Sequence, residues 1–162
     1  MTSQPGEQPA GAPLTFEQFY LERYSSLIRL AFVLTSSKEI AEDLVQDSFV
    51  RLHAHYDRVD SPERYVRQMV VNASRSHFRR AGRERERRPL LYVVDDGGAQ
   101  AATGELNDVL LGLPYRQRAA IVLRYYSDLS EAEIAEVLGC RPGTVGSLIH
   151  RGLERMRKVI EP

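Results

Sequence analysis

Where apolar residues recur in this chain, they recur at intervals of three and four, and alternating stretches of the kind a half-buried strand needs are scarce. That pattern restricts the fold to packed helices. Phe16, Phe19, Tyr20, Tyr24, Leu27, Ile28, Ala31 and Leu34 make one buried stripe. Thr15, with Gln18 three residues on, opens it as a capping box. Ser36 with Glu39 is read as the cap of a second helix, with Ile40, Leu44, Val45, Phe49 and Leu52 inside. Ser61-Pro62 opens a third, a hydroxyl cap followed by proline at the first helical position, where its missing N–H costs nothing. Tyr65, Val66, Met69, Val70 and Ala73 form its inner face. Its far end, Arg75 to Arg88, is too charged to pack and is expected to project into solvent or onto a polyanion.

The fold class expected is all-α, two small helical domains joined by a flexible linker. A chain of 162 residues holds one ordinary domain or two small ones. Residues 1–13, rich in Gln, Pro, Gly and Ala, read as a disordered leader. Residues 14–88 form the first unit. Residues 89–104, which include Leu90–Val94 and the run DDGGAQAATG, form the link. Residues 105–162 form the second unit. There Leu106, Val109, Leu110 and Leu113 make a short apolar face, Pro114 punctuates it, and Ala119–Tyr126 continues as a helix.

Several function classes drop out. No run approaches the roughly 20 apolar residues of a membrane span, so no membrane insertion is expected. The single cysteine, Cys140, excludes an internal disulfide and fits the reducing cytoplasm. Four His and one Cys at scattered positions make no metal-ligand spacing, and no cofactor is expected. Nothing resembles a nucleophile–base pair or a phosphate-cradling loop, so the chain reads as a non-enzyme.

The formal net charge is zero, but the charges are sorted in blocks. Lys38–Glu63 carries three basic and seven acidic side chains, and Arg64–Arg88 carries nine Arg and two Glu. Four acids stand alone between Pro89 and Leu113, and from Pro114 onward eight basic residues face six acidic ones. An acidic block beside an Arg-dense helix suits two partners, a basic protein face and a phosphate backbone.

The sharpest local signal runs from Ser130 to Lys158. Ser130 with Glu133 is a capping box, Ile134, Ala135 and Leu138 form the inner side of a short helix, and Gly139 ends it. Pro142 then starts a longer helix. This is helix-turn-helix spacing: Ala135 permits a close crossing, and Val145, with Leu148 or Ile149, closes the angle. The second helix of such a pair enters the major groove. Arg141, Thr144, Ser147, His150 and Arg151 are the residues placed to face DNA, with Arg155, Arg157 and Lys158 either along phosphates or solvated.

The segment RQRAAIVLRYYSDLSEAEIAEVLGCRPGTVGSLIHRGLERMRK resembles the promoter-reading C-terminal domain of extracytoplasmic-function (ECF) sigma factors, especially the SigE-like actinobacterial branch. AEDLVQDSFVRLHAHYD and SPERYVRQMVVNASRSHFRR resemble the matching core-binding and −10-reading domain. The resemblance implies that Asp43, Gln46, Asp47 and Phe49 meet the clamp coiled coil of the largest polymerase subunit. It also implies that Arg58, Tyr65, Asn72, Arg75, Arg79 and Arg80 open and hold the −10 element, although Tyr65 also sits at a helix-core position where burial is the stronger reading. Arg141, Thr144, Ser147, His150, Arg151 and Arg155 read the −35 element. Core RNA polymerase, the flap of its second-largest subunit, promoter DNA and an anti-sigma factor are the implied partners.

The reading helix departs from the family pattern, with Gly146 where a Lys is common and Leu148 where a long polar residue is common. Losing a Lys–phosphate contact weakens DNA binding. Two other readings use the same residues: a helix-turn-helix regulator that acts without polymerase, and a sigma-like protein-interaction adaptor whose Gly146 marks lost DNA reading. For the Arg83–Arg88 run three readings stay open: contact with DNA, a path toward the polymerase interior, and disorder.

Overall fold

A computed structural model of the chain describes residues 12–87 and 105–161. The expected leader, apart from residues 12 and 13, and the expected link lie outside the described residues. The described residues form seven helices, α1 (Phe16–Thr35), α2 (Lys38–His53), α3 (Pro62–Arg87), α4 (Glu105–Leu111), α5 (Tyr115–Tyr125), α6 (Glu131–Leu138) and α7 (Pro142–Ile160), with one 3-10 turn at Tyr56–Arg58 and no strand among them. The all-α expectation therefore holds.

Local chemistry sets the helix ends. Thr15 closes a capping box with Gln18, and Ser130 closes one with Glu133. The α1–α2 junction differs from the sequence reading. Ser36 ends α1 in the left-handed conformation, with φ of 56°, and Ser37 is the cap of α2, its hydroxyl accepting from the Ile40 N–H. A turn this tight needs one residue to reverse the chain before the next can cap. Two adjacent serines offer the sequence no way to say which does which.

α1, α2 and the first half of α3 pack into one bundle. Phe19, Leu27, Leu34, Val45, Phe49 and Leu52 fill it together with Val66, Val70 and Val71 of α3. Burying a side chain the size of Phe49 or Leu52 contributes about 1.5–3 kcal/mol. Met69, Ala73 and Tyr65 of the expected inner face are only half-buried, and Val71 and Ser74 take the interior instead. Glu63 at the start of α3 ties the bundle at its edge, 3.1 Å from Arg23 of α1 and 2.8 Å from Arg67.

α5, α6 and α7 make the second bundle, centred on Leu123, Ile134 and Val145. Gly152 of α7 lies where α7 crosses α5, and a Cβ there would come within 2.5 Å of Ile121 Cδ1 and 3.4 Å of Gln117 Cβ. α4 adds Leu113 at its exit, while Leu106 stays exposed.

The two bundles touch. Tyr115 donates its hydroxyl hydrogen to the Val71 carbonyl at 2.7 Å, Asn107 donates to Ser36 Oγ at 2.6 Å, and Arg64 pairs with Glu136 at 2.8 Å. The far end of α3 is thus not wholly free, because Phe78 lies against the second bundle. The sequence reading missed this because Phe78 stands alone among arginines, yet Val71, Ser74 and Phe78 share one side of the helix.

Candidate polymerase and promoter interfaces

α6 and α7 meet through a short turn. Gly139 takes φ of 64°, a conformation open to glycine at low steric cost, and the Gly139 and Cys140 N–H groups both reach the Ala135 carbonyl. Val145, Ile149, Gly152 and Met156 recur along α7 on its buried side. Arg141, Thr144, Ser147, His150, Arg151 and Arg155 are all exposed on the other. Among the described residues Arg141, Arg151 and Arg155 form no ion pair, so their charge is unspent within the fold. Ser147 turns its hydroxyl back to the Gly143 carbonyl at 3.2 Å. Leu148 packs against the core, so its lost polarity removes nothing from the outer face. Gly146 is half-buried, and a Cβ there would stand 3.6 Å from Glu131 Oε1, ordinary contact. Packing does not require the glycine.

On α2, Asp43, Gln46 and Asp47 share one exposed side. Gln46 donates to the hydroxyls of Tyr20 and Tyr24 at 3.3 and 3.4 Å, and Asp47 pairs with Arg51 at 3.1 Å. Phe49 does not join that exposed side. It is 2% exposed, ringed by Phe16, Phe19, Tyr20 and Tyr24. It forms the floor of a groove of about 520 Å³ rather than a surface contact, because its position falls on the inward stripe of α2. The apolar residues open to a partner there are Leu21 and Val50, 78% and 68% exposed. The sequence reading missed both, since isolated exposed aliphatics carry no periodic signal.

On α3, Asn72, Arg75, Arg79 and Arg80 are exposed, and Arg58 is exposed on the preceding 3-10 turn. Tyr65 is half-buried and packs against the core. Tyr65, Asn72 and Arg79 repeat every seven residues and so share a face. Arg64, Val71 and Phe78 share the neighbouring one, about 100° round the helix at 3.6 residues per turn.

That neighbouring face holds the least ordinary chemistry in the molecule. Arg118 of α5 is 2% exposed. Its guanidinium carbon lies 4.2 Å over the Phe78 ring and 5.3 Å from that of Tyr115, and one Nη donates to the Leu111 carbonyl at 3.3 Å. It has no carboxylate partner among the described residues, and its Nε is buried without a hydrogen-bond partner. Burial lowers its affinity for the proton, although a guanidinium stays charged at any working pH. Burial likewise raises the Tyr115 hydroxyl well above the usual phenol range.

An acidic α2, an arginine-bearing α3 and a basic-faced helix-turn-helix in chain order define a transcription initiation factor. The family model for Sigma-70 region 2 matches residues 19–84, and that for Sigma-70, region 4 matches residues 103–156. The RNA polymerase sigma-E factor of Streptomyces avermitilis is 32% identical over 157 residues, covering 93% of this chain and 88% of that protein. The ECF RNA polymerase sigma factor SigM of Mycobacterium tuberculosis is 32% identical over 159 residues, covering 93% and 80%. Among solved structures, a chain of the complex between the sigma factor RpoE and the anti-sigma factor NepR from Bartonella quintana superposes with a TM-score of 0.73. It is 28% identical and covers 90% of this chain and 96% of that one. The chain belongs to the ECF sigma factors of the sigma-70 family. It is an RNA polymerase sigma factor.

Proposed function

We propose a division of labour along the chain in which residues 14–88 bind polymerase and the −10 element and residues 105–162 bind the −35 element. Asp43, Gln46 and Asp47 contact the clamp coiled coil of the largest subunit, and Leu21 and Val50 beside them seat an apolar partner side chain over Phe49. Arg58, Asn72, Arg75, Arg79 and Arg80 hold the displaced −10 strand, whose unstacking costs a few kcal/mol per flipped base. Arg141, Thr144, Ser147, His150, Arg151 and Arg155 face the −35 duplex. The exposed Val159 and Ile160 at the end of α7 suit the flap of the second-largest subunit.

The observation that carries this reading is the α7 face, whose three arginines have no ion-pair partner among the described residues while the opposite side is buried. RNA synthesis belongs to the polymerase, so the chain performs no covalent chemistry. It works in the cytoplasm, in keeping with the absence of any described helix long and apolar enough to cross a membrane. A regulator related to anti-sigma factors is a further partner, supported by the NepR complex of the Bartonella relative.

Run-off transcription tests the whole. Purified chain mixed with core polymerase is expected to give promoter-specific product and to co-elute with core. No product from any candidate promoter, with no co-elution, overturns it. Sequence-specific binding to duplex DNA without core favours the polymerase-independent regulator.

A further inference from the structure

The N-terminal half of α7 is the part of a recognition helix that meets base edges, and here it carries little to read them with. Gly143, Thr144 and Ser147 are exposed and Gly146 is half-buried. None of the four extends beyond the γ position. The Ser147 hydroxyl is already engaged by the Gly143 carbonyl at 3.2 Å. A Cβ on Gly143 would meet nothing within 4 Å, so the stretch is open as well as short-sided.

A longer polar group does stand there, and it comes from α6. The Glu131 carboxylate lies alongside Gly146: a Cβ on that glycine would be 3.6 Å from Oε1 and 3.7 Å from Oε2. Both oxygens are therefore beside the point from which any side chain at 146 would leave the helix. Glu131 is exposed, and its carboxylate has no ion pair and accepts no side-chain hydrogen bond among the described residues.

A carboxylate accepts hydrogen bonds and repels other acceptors. Phosphate oxygens, guanine O6 and N7 and thymine O4 all present lone pairs to it. The donors of the major groove are the amino groups of cytosine and adenine. Adenine sets its N7 acceptor beside that amino group, where the second carboxylate oxygen would lie, and cytosine sets none there. Cytosine N4 is thus the best match for a bare carboxylate at this place.

We infer that Glu131 is a specificity-determining residue of the −35 contact: reaching past Gly146, its carboxylate accepts from the N4 amino group of a cytosine. The inference rests on the −35 reading by α7 proposed above. It gives Gly146 a role that packing does not, since a long side chain there would stand between the carboxylate and the groove. It also places one base contact on α6. A matched carboxylate–cytosine contact discriminates against another base by about tenfold.

Selection of −35 sequences is the test. The full chain assembled with core polymerase is offered promoter fragments randomised across the −35 region, and the bound fraction is sequenced. Glu131→Ala and Glu131→Gln are compared with the parent, after circular dichroism has checked that each is folded. The parent should enrich cytosine at one position by about tenfold over the other bases. Glu131→Ala should flatten that position and leave the rest of the preferred sequence intact. Glu131→Gln should move the preference there to adenine, whose N6 and N7 a carboxamide matches. The inference is overturned if all three select the same sequence, or if losing the charge tightens binding to every sequence alike, as relief of phosphate repulsion would. Either result leaves the −35 reading standing. Absence of any −35 preference in all three, whether or not core is bound, refutes that reading and the Glu131 contact with it.

Discussion

Tyr115 joins the bundles through a single short hydrogen bond to the Val71 carbonyl. Tyr115→Phe keeps the ring over Arg118 and removes the donor. It should lower stability by about 1 kcal/mol, read as a lower thermal midpoint. Because burial holds the folded hydroxyl above its ordinary range, its contribution is complete below about pH 10 and declines as the pH rises further. The parent should therefore lose stability in strong alkali faster than the Phe variant, and equal alkaline slopes would refute the assignment. Gly146 offers the opposite case, a residue whose replacement the fold permits. Gly146→Lys relieves a helix cost of roughly 1 kcal/mol and adds a cation beside Glu131. The expected result is a higher midpoint and a slope of log binding constant against log salt steeper by about 0.9 on −35 duplex. An unchanged slope would mean that Glu131 keeps the new charge from the phosphates.

At the level of the helices, the capping boxes at Thr15 and Ser130, the proline start of α7 and the glycine end of α6 were legible because each rests on neighbours three or four residues away. Ser36 and Ser37 were not, since the choice between them depends on how α1 meets α2. Phe49 was legible as inward but not as withdrawn from the partner surface, for the stripe that marks it as core also denies it exposure. The α6 cap carries a pH signature. The Ser130 backbone N–H, then its hydroxyl, draw the Glu133 carboxyl below its usual range, so this stabilisation is present above about pH 4 and is lost as the pH falls through the folded value. Glu133→Gln should be less stable than the parent at neutral pH, with the gap closing in acid. The α5–α7 crossing depends on Gly152, which no periodic pattern singled out. Gly152→Leu should cost about 1–3 kcal/mol by overpacking against Ile121 and Gln117, measured by denaturant midpoint.

For the molecule as a whole, the order of the two units was readable from motifs, and their docking was not. Arg118 gives the reason. In sequence it is one of three arginines on α5, beside Arg116 and Gln117 at the polar start of the helix, the pattern of a solvated edge, and only a ring arriving from α3 makes its burial tolerable. The proposed polymerase face is tested by Val50→Asp, which alters a side chain 68% exposed and outside the core. Co-elution with core should weaken at least tenfold while the unfolding free energy stays within about 0.5 kcal/mol of the parent. Retained co-elution would place the contact elsewhere.

Leu21 and Val50 have one more effect. Bare aliphatic side chains beside a cleft favour self-association whenever no partner occupies them. The isolated polypeptide should turn cloudy on concentration sooner than the Val50→Asp variant, and co-production with the polymerase should raise its yield.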